Sequence, residues 1–136
     1  MKPAIGNLAR LSTSERRLVL EALALMPRAA VAIRLRPFPQ TVGFGSVPLG
    51  PAKPVDVARL SSLVGAVARR MPFRALCFEQ GLTVQRMLRR RGYPAILHYG
   101  VETKGALAAH VWVTLEGIVI HGGETAHRFA EVGQWP

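Results

Sequence analysis

Apolar residues in the first quarter of the chain recur at helical spacing behind a helix-start signal. Residues 12–15, Ser-Thr-Ser-Glu, have the form of a capping box, in which a hydroxyl and a carboxylate satisfy free amides of the first turn. We predict a helix from about Thr13 to Met26 that Pro27 stops or kinks, and residues 29–35 suit a second short helix. The apolar positions behind the first prediction are Leu18, Leu20, Leu23, Ala24 and Leu25.

The helical pattern breaks between Pro37 and Pro54, where proline and glycine are dense. This composition predicts an irregular connection, and it is long for so small a domain. Long connections inside compact domains are often functional. The segment therefore either covers a groove or docks a partner, or it is a plain linker, and both interpretations stay open.

Two further helical patterns lie in the middle of the chain. Pro54 suits a first helical turn, and apolar residues repeat at helical spacing over residues 55–70. A second pattern covers residues 76–91 and is ended by Gly92 and Pro94.

Beyond Gly92 the apolar period changes from helical to alternating. Residues 95–101, 109–115 and 118–121 are predicted as strands, with a polar turn at residues 102–105. Glu116-Gly117 is predicted as the tight turn of a hairpin between the last two strands. Helices followed by an antiparallel sheet define an α+β domain.

Length and charge narrow the class of protein. The 136 residues, 49% of them hydrophobic, fit one compact domain. A formal net charge of +10 would attract nucleic acid, an anionic membrane surface or an acidic protein partner. Because the arginines are scattered over several segments, without zinc-ligand or RNP patterns, no specific nucleic acid is expected as a partner.

The single cysteine and the apolar segments indicate the cellular compartment of the protein. One cysteine excludes an internal disulfide. Residues 1–6 lack the apolar core of a signal peptide, and the most apolar stretch, residues 18–35, is interrupted by Glu21, Pro27 and Arg28. We therefore expect a cytoplasmic protein without a membrane span.

Cys77 is the first candidate for chemistry because it lies at the predicted first turn of a helix. Free amides and the helix dipole stabilise a thiolate at that position, and the nearby Arg74 would lower the thiol pKa further. A lone cysteine is nevertheless more often a small buried hydrophobic residue. Cys77 is therefore either a nucleophile or a core residue.

His110 is the second candidate. In the predicted strand, His110 and Trp112 point to one face and Val111 points to the other. An imidazole that faces a helix N-terminus can remove a thiol proton and later protonate a leaving amine. A lone strand histidine can equally be structural.

A third group would be needed to orient the imidazole. If Glu116 and Gly117 form the turn, the return strand brings His110 near Gly122 or Gly123, with Glu124 one step further on. An aspartate there would complete a triad, and none is present.

Three weaker candidates remain. His98 and His121 lie on neighbouring predicted strands with His110, but no carboxylate or thiolate has ligand spacing, so no metal or cofactor is expected. Gln80, one turn into the helix from Cys77, is either an oxyanion donor or a solvated side chain. The triplet at residues 89–91 either binds an anion or complements the helix dipole.

Five blocks between residues 72 and 124 carry a family resemblance: Cys77–Leu82, Gln85–Gly92, Leu97–Val101, Ala109–Val113 and Ile120–Glu124. In order and spacing they resemble the leader peptidases of lasso-peptide biosynthesis, the B proteins, whose peptidase part is transglutaminase-like. The resemblance implies N-terminal helices followed by a helix-plus-antiparallel-sheet, transglutaminase-like (papain-like) core.

The resemblance also implies roles for single residues. Cys77 corresponds to the nucleophile and His110 to the base, while the slot of the usual aspartate falls at Gly122. The orienting role then passes to Glu124, to a backbone carbonyl or water, or to Glu116. Glu124 ranks above Glu116, which should lie at the solvent-facing hairpin tip.

The function implied by the resemblance is that of a cysteine endopeptidase which removes the leader from a ribosomally made lasso-peptide precursor. Residues 1–54 would be an N-terminal helical region with a Pro/Gly-rich connection, and residues 55–136 the peptidase core. This split form implies a separate leader-recognition protein and an ATP-dependent macrolactam cyclase as partners. The alternatives are a binding module of the same fold that has lost turnover, and a basic nucleic-acid-associated protein.

Overall fold

The computed structural model of the protein describes residues 9–102, 108–123 and 129–136. Within these residues, four helices precede a sheet of four strands in the order β3-β2-β1-β4, and all neighbouring strands are antiparallel. The predicted α+β class is confirmed. The elements are α1 (Thr13–Leu35), α2 (Phe38–Val42), α3 (Val57–Ala68), α4 (Cys77–Arg89), β1 (Ala95–Glu102), β2 (Ala108–Leu115), β3 (Ile118–His121) and β4 (Ala130–Trp135).

Helix α1 is continuous through Pro27, so of the predicted stop or kink at this proline the stop is wrong, and so is the separate helix over residues 29–35. The predicted capping box is confirmed, because the Ser12 hydroxyl accepts from the Glu15 amide and the Glu15 carboxylate accepts from the Ser12 amide. Pro27 lies on the exposed side of α1, where water can hydrate the Leu23 carbonyl that a proline cannot bond. Buried side chains on both sides of the proline hold the helix in place: Leu25, Met26, Ala29 and Ala30.

The predicted irregular connection contains the short helix α2 and is otherwise irregular. Its second half is tied to the end of α4, because the Gly50 amide donates to Arg89 O at 2.8 Å and the Lys53 amide donates to Arg91 O at 3.1 Å. The connection is thus docked on the domain.

Helix α3 begins at Val57, later than the predicted start at Pro54. The Asp56 carboxylate accepts the Arg59 amide at 3.1 Å and is the N-cap. A side-chain cap satisfies a free amide, which a proline cannot do, so Asp56 sets the boundary. Gly92, with φ of 87°, follows the end of α4.

The predicted hairpin turn is confirmed, since Glu116 and Gly117 both have positive φ, 52° and 83°. Strand β4 was not predicted. It is an edge strand whose residues are mostly exposed, so it lacks the apolar alternation that marks a half-buried strand. By pairing with β1 it makes β1 a central strand.

Helix α4 packs closely on the sheet and thereby places Cys77 over β2. A Cβ atom on Gly81 would lie 2.7 Å from Val111 Cγ1 and 3.0 Å from Leu97 Cδ1, so only glycine permits this approach. Helices α1 and α3 complete a continuous apolar core whose fully buried members include Met26, Leu60, Leu63, Leu82, Met87, Leu88 and Leu97. In the described ranges, no helix is long and apolar enough to cross a membrane.

Candidate active site

Cys77 is the first residue of α4. The backbone amides of Val111, Cys77 and Phe78 lie close enough to the sulfur to act on its pKa. Val111 directly follows His110 on β2, so the sulfur lies beside the segment of strand that carries the imidazole. The thiol is partly buried and packs against the apolar core.

The predicted lowering of the Cys77 pKa is wrong. Burial raises the pKa of the thiol, the Glu79 carboxylate adds to the rise, and the amides of Val111, Cys77 and Phe78 offset only part of it. The Glu79 carboxylate is held close because it accepts the Leu76 amide at 3.1 Å. The resting group is therefore a thiol, which needs a base before it can attack.

His110 is anchored through one ring nitrogen. Its Nε2 atom lies 2.7 Å from the carbonyl oxygen of Gly122, which confirms the predicted approach of these two residues. Because a carbonyl oxygen only accepts hydrogen bonds, Nε2 must carry a proton. In the neutral ring the lone pair then resides on Nδ1, and no described residue hydrogen-bonds to that atom.

Trp112 holds the plane of the imidazole. Its ring stacks on His110, with centroids 5.9 Å apart and planes at 21°, and on His98, with centroids 5.5 Å apart and planes at 6°. Phe129 contacts the His110 ring from 5.2 Å. Trp112 is thus a wall of the site.

The group that orients His110 in the described residues is the Gly122 carbonyl. Gly122 has φ of 75°, and a Cβ atom there would lie 3.0 Å from Val111 O. Glu116 is exposed at the hairpin tip. Glu124 lies outside the described residues.

A second polar network reaches the first turn of α4. His121 on β3 lies with Nε2 2.9 Å from Gln80 Oε1 and with Nδ1 2.6 Å from the Ser61 hydroxyl on α3. The Gln80 amide nitrogen donates to Ala75 O at 3.0 Å, which places the amide beside the backbone that leads into Cys77. Side chains from three separate elements meet here, so sequence spacing gave no signal of the network.

The third strand histidine belongs to another network. His98 is only 8% exposed, its Nδ1 lies 2.9 Å from Glu131 Oε1 on β4, and its Nε2 lies 2.7 Å from the Thr114 hydroxyl. In these hydrogen bonds, His98, His110 and His121 therefore share no partner. Among the residues described, no three His, Cys, Asp or Glu side chains are grouped to hold a metal ion.

An aromatic cluster covers the side of Phe78, the residue after Cys77. Phe38 of α2 packs against Phe78, Tyr99 and Trp135, with centroid distances of 5.9, 5.5 and 5.1 Å. The Pro/Gly-rich connection thus contributes a side chain that packs against the residue after the candidate nucleophile. The cluster escaped sequence analysis because its four rings come from four distant segments.

Cys77 at the start of α4, and a histidine anchored on β2, the strand against which α4 packs, are the residue types that cysteine-dependent hydrolases use. A family model described as the transglutaminase-like superfamily matches residues 18–134. The chain therefore belongs to the transglutaminase-like superfamily, in which cysteine peptidases are common. No significant match was found among curated proteins or among solved structures.

Proposed function

We propose that the protein is a cysteine endopeptidase that removes the leader from a lasso-peptide precursor. The observation that carries the proposal is the contact between His110 Nε2 and the Gly122 carbonyl. It fixes the tautomer in which Nδ1 holds the lone pair, as a base for a neighbouring thiol requires. The family resemblance supplies the substrate class.

The reaction begins with a neutral thiol because burial raises the Cys77 pKa. His110 Nδ1 takes the thiol proton as Cys77 Sγ attacks the scissile carbonyl carbon. The resulting imidazolium gives this proton to the leaving amine when the C–N bond breaks, which leaves an acyl-enzyme. His110 then activates a water molecule, which hydrolyses the thioester and restores the thiol.

Stabilisation of the oxyanion falls to donors at the start of α4. The Cys77 amide is free of helical bonding at this position and is the first donor. The second N–H of the Gln80 amide is the other candidate, because one N–H already donates to Ala75 O.

The proposed setting is cytoplasmic, with a separate leader-recognition protein that presents the precursor and a macrolactam cyclase that uses the product. A neutral carbonyl in place of the expected aspartate favours a second candidate, a binding module of the same fold without turnover, because a carbonyl stabilises an imidazolium less than a carboxylate does.

Mass spectrometry of a precursor peptide tests the proposal. The precursor is incubated with its leader-recognition protein and either this protein or its Cys77→Ala variant. Leader release by the wild type that disappears in the variant supports the peptidase. If folded wild-type protein releases no leader with the partner present, the binding module replaces the proposal.

A further inference from the structure

Arg86 of α4 has a partly buried charge and an unused hydrogen-bond donor, and both are unfavourable in free energy when no ligand is bound. Its guanidinium lies over the Phe44 ring, 4.6 Å from the centroid, and donates from Nη1 to Phe44 O at 2.9 Å. Its Nε atom is buried and has no hydrogen-bond partner among the described residues. A charged group is therefore partly desolvated with a donor unused.

Like charges surround this arginine. Burial lowers the pKa of Arg86, and the neighbouring Arg90 and Arg28 lower it further, while Glu21 opposes them. The Glu21 carboxylate is already engaged, since it lies 2.6 Å from Arg91 Nη2 and 3.8 Å from Arg90 Nη1. Positive charge is thus in excess at this surface.

The arginine triplet divides into structural and exposed members. Arg89 donates to Val47 O at 2.6 Å, and Arg91 donates to Glu21 and to Met87 O. The Arg90 side chain is 56% exposed. Of the three, Arg90 is therefore the one presented to a ligand.

Two clefts each include one member of the Arg86–Phe44 pair, and both have apolar residues in their walls. One has a volume of about 370 Å³ and includes Phe44, and the other has a volume of about 560 Å³ and includes Arg86. The first is lined by Pro27, Arg28, Val31, Ala32, Arg36 and Phe44. The second is lined by Val47, Pro48, Gly50, Pro51, Lys53, Arg86 and Arg90.

We propose that Arg28, Arg86 and Arg90, with the apolar walls of these clefts, form an exosite for an acidic segment of the peptide substrate. Guanidinium groups bind carboxylates through paired hydrogen bonds, and Val31, which is 53% exposed, offers contact for apolar side chains between them. The identity of the ligand as substrate rests on the proposed peptidase function, whereas the binding surface does not.

The surface suits a peptide better than a nucleic acid. Binding of single strands relies on aromatic rings that stack bases. Among the described residues, Phe44 is the only aromatic residue that lines either cleft, and Arg86 covers its ring. The apolar walls contribute nothing to phosphate recognition.

Helix geometry limits where the acidic segment lies in the substrate. Arg86 lies nine positions after Cys77 on α4, which corresponds to about 14 Å along the axis. An extended chain covers this distance in about four residues. The acidic residues should therefore lie at least about four positions from the scissile bond.

Fluorescence anisotropy tests the exosite on the full chain carrying Cys77→Ala, so that binding is read without cleavage. The probes are a labelled peptide of leucine and glutamate, about 12 residues long to reach across both clefts, and the same peptide with glutamine for glutamate. The glutamate peptide should bind at least about tenfold more tightly. Arg28→Glu with Arg90→Glu should weaken it at least about tenfold, whereas Arg69→Glu with Arg70→Glu, an equal change of charge outside both clefts, should have little effect.

Equal weakening by the two double variants would overturn the exosite, because the net charge alone would then explain binding. Tighter binding of a single-stranded RNA of similar length, lost in the Arg28/Arg90 variant, would also overturn it in favour of nucleic acid. Selective peptide binding by a protein that releases no leader would retain the exosite and reject the peptidase.

Discussion

His110 Nε2 and the carbonyl oxygen of Gly122 lie 2.7 Å apart, in the place where the resemblance predicted an aspartate. A backbone carbonyl can fix the tautomer and direction of the ring, which are two of the tasks of a triad carboxylate. It carries no charge with which to stabilise the imidazolium. Within the described residues, the His110 ring is therefore oriented through geometry more than through charge.

Gly122→Ala should impair both the fold and the site. An alanine at this position must adopt a backbone φ near 75°, and its Cβ would approach Val111 O to 3.0 Å. We expect a loss of about 1–3 kcal/mol in the free energy of unfolding and at least a tenfold fall in kcat, roughly, because the carbonyl moves from His110. Urea unfolding and peptidase assays on the folded fraction measure the two effects.

Gly117→Ala is the matched control for that experiment. Gly117 has φ of 83°, and a Cβ there would meet nothing within 4 Å. The Gly117→Ala variant should therefore show the backbone strain without the loss of kcat. A similar fall in kcat for both variants would contradict the orienting role of the Gly122 carbonyl.

Glu79→Gln should make Cys77 more reactive. The charge of Glu79 raises the Cys77 pKa, and glutamine removes that charge while it can still accept the Leu76 amide. Wild-type protein should react slowly with iodoacetamide at neutral pH and faster as pH rises past 9.0, the ordinary value for the thiol. The variant should react about threefold faster at neutral pH, and an unchanged pH profile would reject the electrostatic account.

Local signals predicted most of the fold. The capping box at Ser12 and the positive-φ turn at Gly117 are short-range features, and the structure has both. The positions of Cys77 at a helix start and of His110 near Gly122 also followed from local elements and one hairpin register.

Interactions between distant segments were not predictable in this way. The burial that raises the Cys77 pKa, and the contacts of His121 with Ser61 and Gln80, depend on how α3, α4 and the sheet pack together. Pro27 shows the same limit, because tertiary contacts of its buried neighbours outweigh its own preference to end a helix.

Pro27→Ala should stabilise the protein. The proline lies inside α1 and leaves the Leu23 carbonyl without its helical donor, and alanine restores this bond. Within a helix, proline lowers the free energy of unfolding by about 3 kcal/mol relative to alanine. Part of this loss is offset because proline also restricts the unfolded chain. We expect a gain of about 1–2 kcal/mol by urea unfolding. A loss of stability would show that α1 is adapted to the proline.

Glu131→Gln should change stability in a pH-dependent way. Burial tends to raise the pKa of Glu131, but hydrogen bonds from His98 and Gln134 outweigh it and lower the pKa below 4.5. A carboxylate whose pKa is lowered on folding stabilises the protein at pH values above its ordinary pKa. This stabilisation is lost as the pH falls through the pKa of the folded state. The variant should therefore be less stable at pH 7, by under about 1 kcal/mol, and the difference should close in acid.

Unfolding curves at several pH values measure this difference, with Glu116→Gln as control. Glu116 is exposed at the hairpin tip and takes no part in the ion pairs of the described residues. If the difference in stability between wild type and Glu131→Gln persists unchanged in acid, Glu131 acts through its shape and not through its charge.

Gln80→Ala should lower kcat with little change in KM, because an oxyanion donor acts on the transition state more than on the bound substrate. The expected fall is about tenfold to a hundredfold. His121→Ala should produce a smaller fall by releasing Gln80 Oε1, whereas His121→Gln, which can still donate to that oxygen, should recover part of the loss. Steady-state kinetics with a chromogenic peptide ester separates kcat from KM. An unchanged kcat in folded Gln80→Ala would leave the Cys77 amide as the sole proposed donor and make the Ser61–His121–Gln80 network purely structural.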